Sequence, residues 1–195
     1  MELELNLHEF FLLIGLLLAT IIAIAFGIKT NKRSANIWFS GFLGACAIVF
    51  LVKLLYSTGQ IVNYPHWFKI NYPAGILRPV FFYLYISFLL NNTSKFKLNH
   101  LLHFIPFLLL TAYLIPFFLI DGDYKKDVLY GRVTNDLGLI PDWYVIFQYL
   151  YSVFYFVLVY FSLRSFVNNN PRPNTYKKSL IKWIRLILIG SIAFI

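Results

Sequence analysis

The sequence predicts an all-α protein, a polytopic helical membrane bundle whose single transmembrane domain covers residues 1–195. Of these residues, 59% are hydrophobic and 13% are charged, whereas soluble domains average about 45–50% apolar and about 25% charged residues. Apolar runs recur from end to end, and most are close to the length of about 20 residues that a helix needs to cross the hydrocarbon core. The single Cys46 rules out an internal disulfide framework.

Six apolar segments are the predicted membrane helices. They are 10–28, 37–56, 73–90, 101–120, 143–163 and 181–195. The sixth segment holds about 15 residues before Ile195, which is too short to cross a bilayer. We therefore expect this last helix to be incomplete and the natural protein to be longer.

Basic residues are distributed unequally between the two sets of predicted loops. Loops 29–36, 91–100 and 164–185 hold eleven Lys and Arg residues, and the opposite set holds four. Because cytoplasmic loops carry the excess of Lys and Arg, the N-terminus is predicted to lie outside. The net charge of +9 then belongs to the cytoplasmic face, where anionic lipid headgroups of the bilayer are the expected partner.

Small residues recur every four positions in the first helix, and similar pairs occur in the second. They are Gly15, Ala19, Ala23 and Gly27 in the first helix, and the pairs Ser40–Gly44 and Gly41–Ala45 in the second. Small residues let membrane helices approach each other closely. The pattern predicts that helix one packs on helix two within the chain; a homodimer is the alternative.

No catalytic constellation is visible in the sequence. All acidic residues lie outside the six predicted helices, and neither a Gly-rich phosphate loop nor an HExxH motif occurs. His100 and His103 are close together but lack a third ligand, so we expect interfacial histidines and no metal site. The sequence therefore predicts a protein that has no cofactor and is not an enzyme.

Polar side chains in and beside the predicted helices are the candidate ligand-binding residues, because such groups are costly in a membrane and usually functional. Lys53 and Arg78 both fall in the outer halves of their helices. Either each reaches the outer headgroups separately, or they share a polar site with groups of the fifth helix that suits an anionic ligand or a structural ion pair. The candidates are Lys53, Arg78, Asp142, Tyr144, Gln148, Tyr151 and Tyr155.

Four short motifs follow one another along the chain: YPHWF (64–68), RPVFFYLYI (78–86), HFIPFLL (103–109) and IKWIRLILIG (181–190). Their order and spacing resemble the N-terminal membrane region of bacterial membrane-embedded regulators that carry an AraC-type helix-turn-helix domain. The resemblance covers essentially the whole chain and rests on Pro79 with its tyrosines, on 103–107 and on 182–185. It departs from the family at Arg78, where a small Gly is expected.

The resemblance implies seven membrane helices in the bacterial cytoplasmic (inner) membrane, followed by a cytoplasmic DNA-binding domain beyond residue 195. The chain is then expected to be the sensor or anchor module of a one-component transcriptional regulator, which contacts DNA only through that missing domain. A small-molecule transporter or permease fragment is the alternative, favoured by polar residues inside the bundle and by the prolines of helix four. An integral membrane enzyme is the least favoured function.

Overall fold

The computed structural model describes residues 6–28, 34–91, 96–132, 140–141, 143–169 and 175–192. The α-helices, in chain order, are α1 Leu7–Ile28, α2 Ser34–Ser57, α3 Asn71–Asn91, α4 Ile105–Phe118, α5 Gly122–Leu129, α6 Trp143–Asn168 and α7 Thr175–Ile192. Short 3-10 helices lie at Gln60–Val62, Pro65–Trp67 and Leu98–Phe104. The described residues contain no strand, so the predicted all-α helical bundle is confirmed.

Five segments are long and apolar enough to cross a membrane. They are Leu7–Ile28, Ala35–Ser57, Asn71–Leu90, Leu98–Phe118 and Trp143–Asn168, and they match the first five predicted helices. α7 is not among them; it begins at Thr175 rather than at Ile181 and carries three basic residues in its first half. A sixth membrane span therefore stays a prediction.

The central helix of the bundle is α3. In its span 67% of the residues are buried, against 11 to 17% in the other four. α2 packs antiparallel to it, with the Phe42 and Phe82 ring centroids 5.5 Å apart. α6 packs parallel to it, because Tyr144 contacts Tyr72 near the start of both helices and Phe156 contacts Phe82 further along.

α1 lies antiparallel to α2, and several predicted small residues lie at this contact. A Cβ atom on Gly15 would come within 3.2 Å of the Phe50 ring, and one on Gly27 within 3.2 Å of the Ser40 hydroxyl. That hydroxyl donates a hydrogen bond to the Ala23 carbonyl at 2.8 Å. The absence of larger side chains at these positions is therefore what lets the two helices approach closely.

The other small residues of this pattern have different neighbours. Ala19 and Ala45 are buried. Gly41 faces α3, since an added Cβ would lie 3.3 Å from the Phe81 ring, whereas no described heavy atom lies within 4 Å of a Cβ added to Gly44. α2 thus carries small residues on two faces, one toward α1 and one toward α3.

A capping box closes the first turn of α1, which begins three residues before its predicted start at residue 10. The Glu9 N–H donates to Asn6 Oδ1 at 2.9 Å, and the Asn6 N–H donates to Glu9 Oε2 at 2.9 Å. The Ser57 hydroxyl at the end of α2 donates to Glu9 Oε1 at 2.9 Å. The expectation that every acid lies outside the helices is therefore wrong for Glu9, because a carboxylate at a helix N-terminus satisfies free N–H groups there.

Two further elements differ from the sequence predictions. The loop before α6 contains α5, whose first turn is capped by the Asp121 carboxylate accepting from the Asp123 N–H at 3.0 Å. The predicted fourth helix, 101–120, is a 3-10 helix up to Phe104 and becomes α-helical at Ile105.

We call the end of the bundle that carries Asn6, Ser57 and Asn71 the Asn6 end, and this end is the one predicted to face outside.

The α1–α2 contact gives a paired prediction. Gly15→Leu forces extra atoms against Phe50 and is expected to lower the free energy of unfolding by about 1–3 kcal/mol, as overpacking does. Gly44→Leu enters open space and is expected to change it by less than about 0.5 kcal/mol. Unfolding of both purified variants in detergent measures the difference, and equal effects would contradict the packing described here.

Candidate functional site

A line of polar side chains runs along the contact between α3 and α6. It uses the predicted inward face of α6, where Tyr144 and Tyr155 are 3% exposed while Val145, Ile146 and Leu150 are more than half exposed. The 3-10 helix that precedes α4 adds one residue, His103. We call the whole set the α3–α6 polar face; it comprises Asn71, Gly75, Arg78, Tyr83, His103, Tyr144, Gln148, Tyr151 and Tyr155.

One half of this polar face, farther from the Asn6 end, is hydrogen-bonded across three helical segments. His103 Nδ1 and the Tyr155 hydroxyl lie 2.9 Å apart, and the Tyr151 hydroxyl donates to the His103 carbonyl at 3.3 Å. The two hydroxyls are themselves 3.4 Å apart. The Tyr83 ring packs on the His103 ring with centroids 5.1 Å apart, so α3 is part of the same cluster.

Pro106 explains why the His103 carbonyl is available to a side chain. In a 3-10 helix the carbonyl of residue i accepts from the N–H of residue i+3, and for His103 that residue is Pro106, which has no N–H. The α-helix starts only at Ile105. The change from 3-10 helix to α-helix therefore leaves the His103 carbonyl without a backbone donor. The Tyr151 hydroxyl supplies that donor, because backbone polar groups within a membrane must be hydrogen-bonded inside the protein.

The other half of the polar face, nearer the Asn6 end, begins with a close approach of the two helices at Gly75. A Cβ atom on Gly75 would lie 2.5 Å from the Gln148 Nε2 atom, so only glycine leaves room for this amide. One turn earlier on α6, the Tyr144 hydroxyl donates to the Tyr72 carbonyl at 3.1 Å. At these two points α3 and α6 contact each other near the Asn6 end.

Arg78 lies within the α3 span, and its Nε atom is buried without a hydrogen-bond partner among the described residues. The same holds for Asn71 Oδ1 and Thr111 Oγ1. Asn71, Gly75 and Arg78 follow each other at spacings of four and three, which places them on one face of α3. The Arg78 guanidinium is close enough to act electrostatically on the Cys46 thiol and the Tyr144 hydroxyl.

The predicted ligand-binding residues are thus distributed unequally. Arg78 lies within electrostatic range of Tyr144, and the α6 face brings Gln148, Tyr151 and Tyr155 to α3 as described above. Lys53 is exposed on α2, and no hydrogen bond or ion pair joins it to another described residue. Asp142 lies outside the described residues.

Four residues of the site were not singled out from the sequence as ligand-binding candidates: Asn71, Gly75, Tyr83 and His103. His103, which was expected at the membrane interface, lies near the start of the span Leu98–Phe118 and between two tyrosine rings. The spacing of Asn71, Gly75 and Arg78 is a usable sequence signal. The pairing of His103 with Tyr155 leaves no local signal in the sequence, because 52 residues separate them.

A second polar cluster lies at the Asn6 end, around the Phe117 ring. Lys125 is 1% exposed; its Nζ donates to the Phe118 carbonyl at 3.0 Å and lies 3.3 Å from His66 Nδ1. Since an ammonium has only donors, His66 Nδ1 is the acceptor and the ring proton is on Nε2. Lys69 Nζ lies 4.1 Å from the Phe117 centroid. This cation cluster, Lys69, Lys125, His66 and Phe117, fixes α5 to the bundle.

Burial governs the protonation of both lysines in the cation cluster. Desolvation lowers the pKa of Lys125 below its ordinary value of 10.5, partly offset by the Asp121 carboxylate. Desolvation also lowers the pKa of Lys69, whose backbone has a φ of 69°. This left-handed conformation is uncommon outside glycine, and the cation–π contact with Phe117 accompanies it.

Known proteins add no identification. No protein-family model, curated protein or solved structure matches the chain. Among the described residues there is also no group of three His, Cys, Asp or Glu side chains that could hold a metal ion.

Tyr155→Phe tests the hydrogen-bonded half of the polar face. Loss of the bond to His103 is expected to lower the free energy of unfolding by about 0.6–1 kcal/mol, the usual value for such bonds in membrane proteins and elsewhere. Tyr160→Phe on the same helix is the control, since Tyr160 is 52% exposed. A coupling energy of zero in the double-mutant cycle with His103→Phe would contradict the pairing.

The cation cluster predicts a pH dependence of stability. Because the folded-state pKa of Lys125 is below 10.5, the unfolded chain binds more protons between the two values, and stability rises with pH across that window. Lys125→Met should reduce this rise without abolishing it, because Lys69 contributes with the same sign.

Unfolding curves recorded at several pH values up to 10.5 measure this slope. Lys126→Met is the matched control, because Lys126 is exposed and pairs with Asp123 at 2.8 Å. That bond raises the pKa of Lys126, so this group contributes stability that is lost at high pH. An unchanged slope in Lys125→Met would show that Lys125 is not desolvated.

Proposed function

We propose that this chain is the membrane-embedded sensor or anchor module of a one-component AraC-type transcriptional regulator of the bacterial inner membrane. It couples a membrane or extracytoplasmic signal to a cytoplasmic DNA-binding domain. The observation that carries the proposal is the α3–α6 polar face, in which a hydrogen-bonded half and a half with unpaired polar atoms lie along the same two helices. The order of the four sequence motifs supports the choice of output domain.

The mechanism is a shift between two packings of α3 and α6. In hydrocarbon, an unpaired polar atom is costly, so a molecule that supplies partners to Arg78 or Asn71 favours the packing that exposes these atoms to it. The tyrosine and His103 bonds resist that change, because they connect α6 to both α3 and α4. A signal shifts the population only by its differential affinity for the two packings.

A transporter or permease fragment is the second candidate function. The observation in its favour is again Arg78, since unpaired polar groups deep in a helical bundle are also what a substrate path requires. Reading the gene beyond Ile195 separates the two functions. A soluble segment with a basic helix-turn-helix pattern favours regulation, and further paired membrane helices favour transport.

The proposal predicts that the output of a reporter in cells varies with growth condition. The gene, extended through the predicted seventh helix, is fused to a reporter DNA-binding domain, and output is followed across growth conditions. We expect output to vary with condition, Arg78→Met to flatten that variation, and Lys53→Met to leave it intact. A wild-type output that is the same in every condition would reject sensing and leave anchoring.

A further inference from the structure

We propose that Arg78 is the centre of an anion-binding site between α2, α3 and α6, which takes the phosphate or carboxylate group of a molecule within the membrane. The inference deepens the proposed sensing function, on which it rests for its biological role. It names the chemistry of the signal as an anion. The binding itself depends only on the residues around Arg78.

The first reason is an uncompensated charge. A guanidinium carries five N–H donors and stays protonated, yet no hydrogen bond or ion pair joins Arg78 to another described residue, and its Nε is fully buried. The described spans contain one carboxylate, Glu9, and both of its oxygens already accept bonds from Asn6 and Ser57. Within the described part of the chain, the negative charge that Arg78 lacks is not supplied by the protein.

The second reason is the set of groups around Arg78. Side chains on a helix lean toward its N-terminus, so Arg78 is directed toward the turn that holds Gly75 and toward Asn71. The Gln148 amide lies over Gly75 and makes no hydrogen bond to a described residue, so its N–H groups are available to an anion. Tyr144 lies close by but already donates to the Tyr72 carbonyl.

Depth and surroundings define the class of ligand. Arg78 lies seven residues along α3 from Asn71, about 10 Å from the Asn6 end at 1.5 Å per residue. The faces of α6 that turn away from α3 are apolar and exposed at this depth, as at Val145 and Ile146. A compact anionic head on an apolar tail suits both features, as does a small free anion that enters from the Asn6 end. A planar guanidinium recognises phosphate and carboxylate by paired hydrogen bonds.

The test measures thermal unfolding of the purified full chain in nanodiscs. The probes are phosphatidylglycerol against phosphatidylcholine as the bilayer lipid, and decanoate or inorganic phosphate added to phosphatidylcholine discs. We expect an anionic probe to raise the unfolding temperature of the wild type and of Lys53→Gln, whose cation is exposed. In Arg78→Gln the apparent affinity should fall by about tenfold or more.

The probes separate the two sources of the anion. A shift with phosphatidylglycerol alone assigns the site to a lipid headgroup, and one with decanoate or phosphate assigns it to a free anion. Equal shifts in the wild type and Arg78→Gln, or no shift with any probe, overturn the proposal. Because no DNA-binding output is involved, this failure is distinct from a flat reporter output with intact binding, which rejects sensing.

A measurement on the wild type covers the case in which Arg78→Gln does not fold. Phenylglyoxal modifies accessible arginines, and mass spectrometry of the digested chain reports each site separately. A bound anion should slow modification of Arg78 several-fold and leave Arg132 unchanged, since the Arg132 side chain is 67% exposed near the Asn6 end. Equal modification of Arg78 with and without the anion overturns the proposal.

Discussion

The parallel contact of α3 with α6 is the interaction on which the rest of the bundle depends. A helix that crosses a membrane satisfies its own backbone, but its polar side chains must find partners on other helices. α6 presents Tyr144, Gln148, Tyr151 and Tyr155 on one face, and α3 is the helix that covers them. With α6 on one side of α3 and α2 on another, the central helix is buried along most of its length.

The two halves of this contact differ in how well their polar groups are paired. Toward the end away from Asn6, the Tyr151 and Tyr155 hydroxyls each contact a His103 atom, and Pro106 accounts for the carbonyl that receives one of these bonds. Toward the Asn6 end, the Arg78 Nε atom and the Asn71 amide oxygen have no partner among the described residues. A satisfied polar network makes a packing rigid and unique, whereas an incomplete one is costly unless something else completes it. This asymmetry is the physical basis for placing signal reception at Arg78.

The cation cluster has a separate role at the same end of the protein. Lys125 reaches from α5 across to the end of α4 and to His66, and Gly122 lies against the same histidine. A buried ammonium thus anchors α5 to the bundle. The pKa of Lys125 is depressed because this anchoring removes water from the charge.

Much of the fold could be predicted from the sequence, because apolar length and small-residue spacing are local properties. Five spans, the inward face of α6 and the small residues of α1 all follow from the periodicity of single helices. The start of α1 and the existence of α5 could not be predicted in the same way, since short polar capping boxes such as Asn6 with Glu9 are outweighed by hydropathy in a window of membrane length.

The sequence by itself determined that this is a helical membrane protein and which α6 side chains turn away from lipid. Only the tertiary structure decided that Arg78 lies within electrostatic range of Tyr144 while Lys53 stays exposed, and that Tyr155 pairs with His103. These outcomes depend on the rotation and relative height of whole helices. Both are set by contacts between distant segments, such as Gly75 against Gln148 and Gly41 against Phe81, which no local pattern encodes.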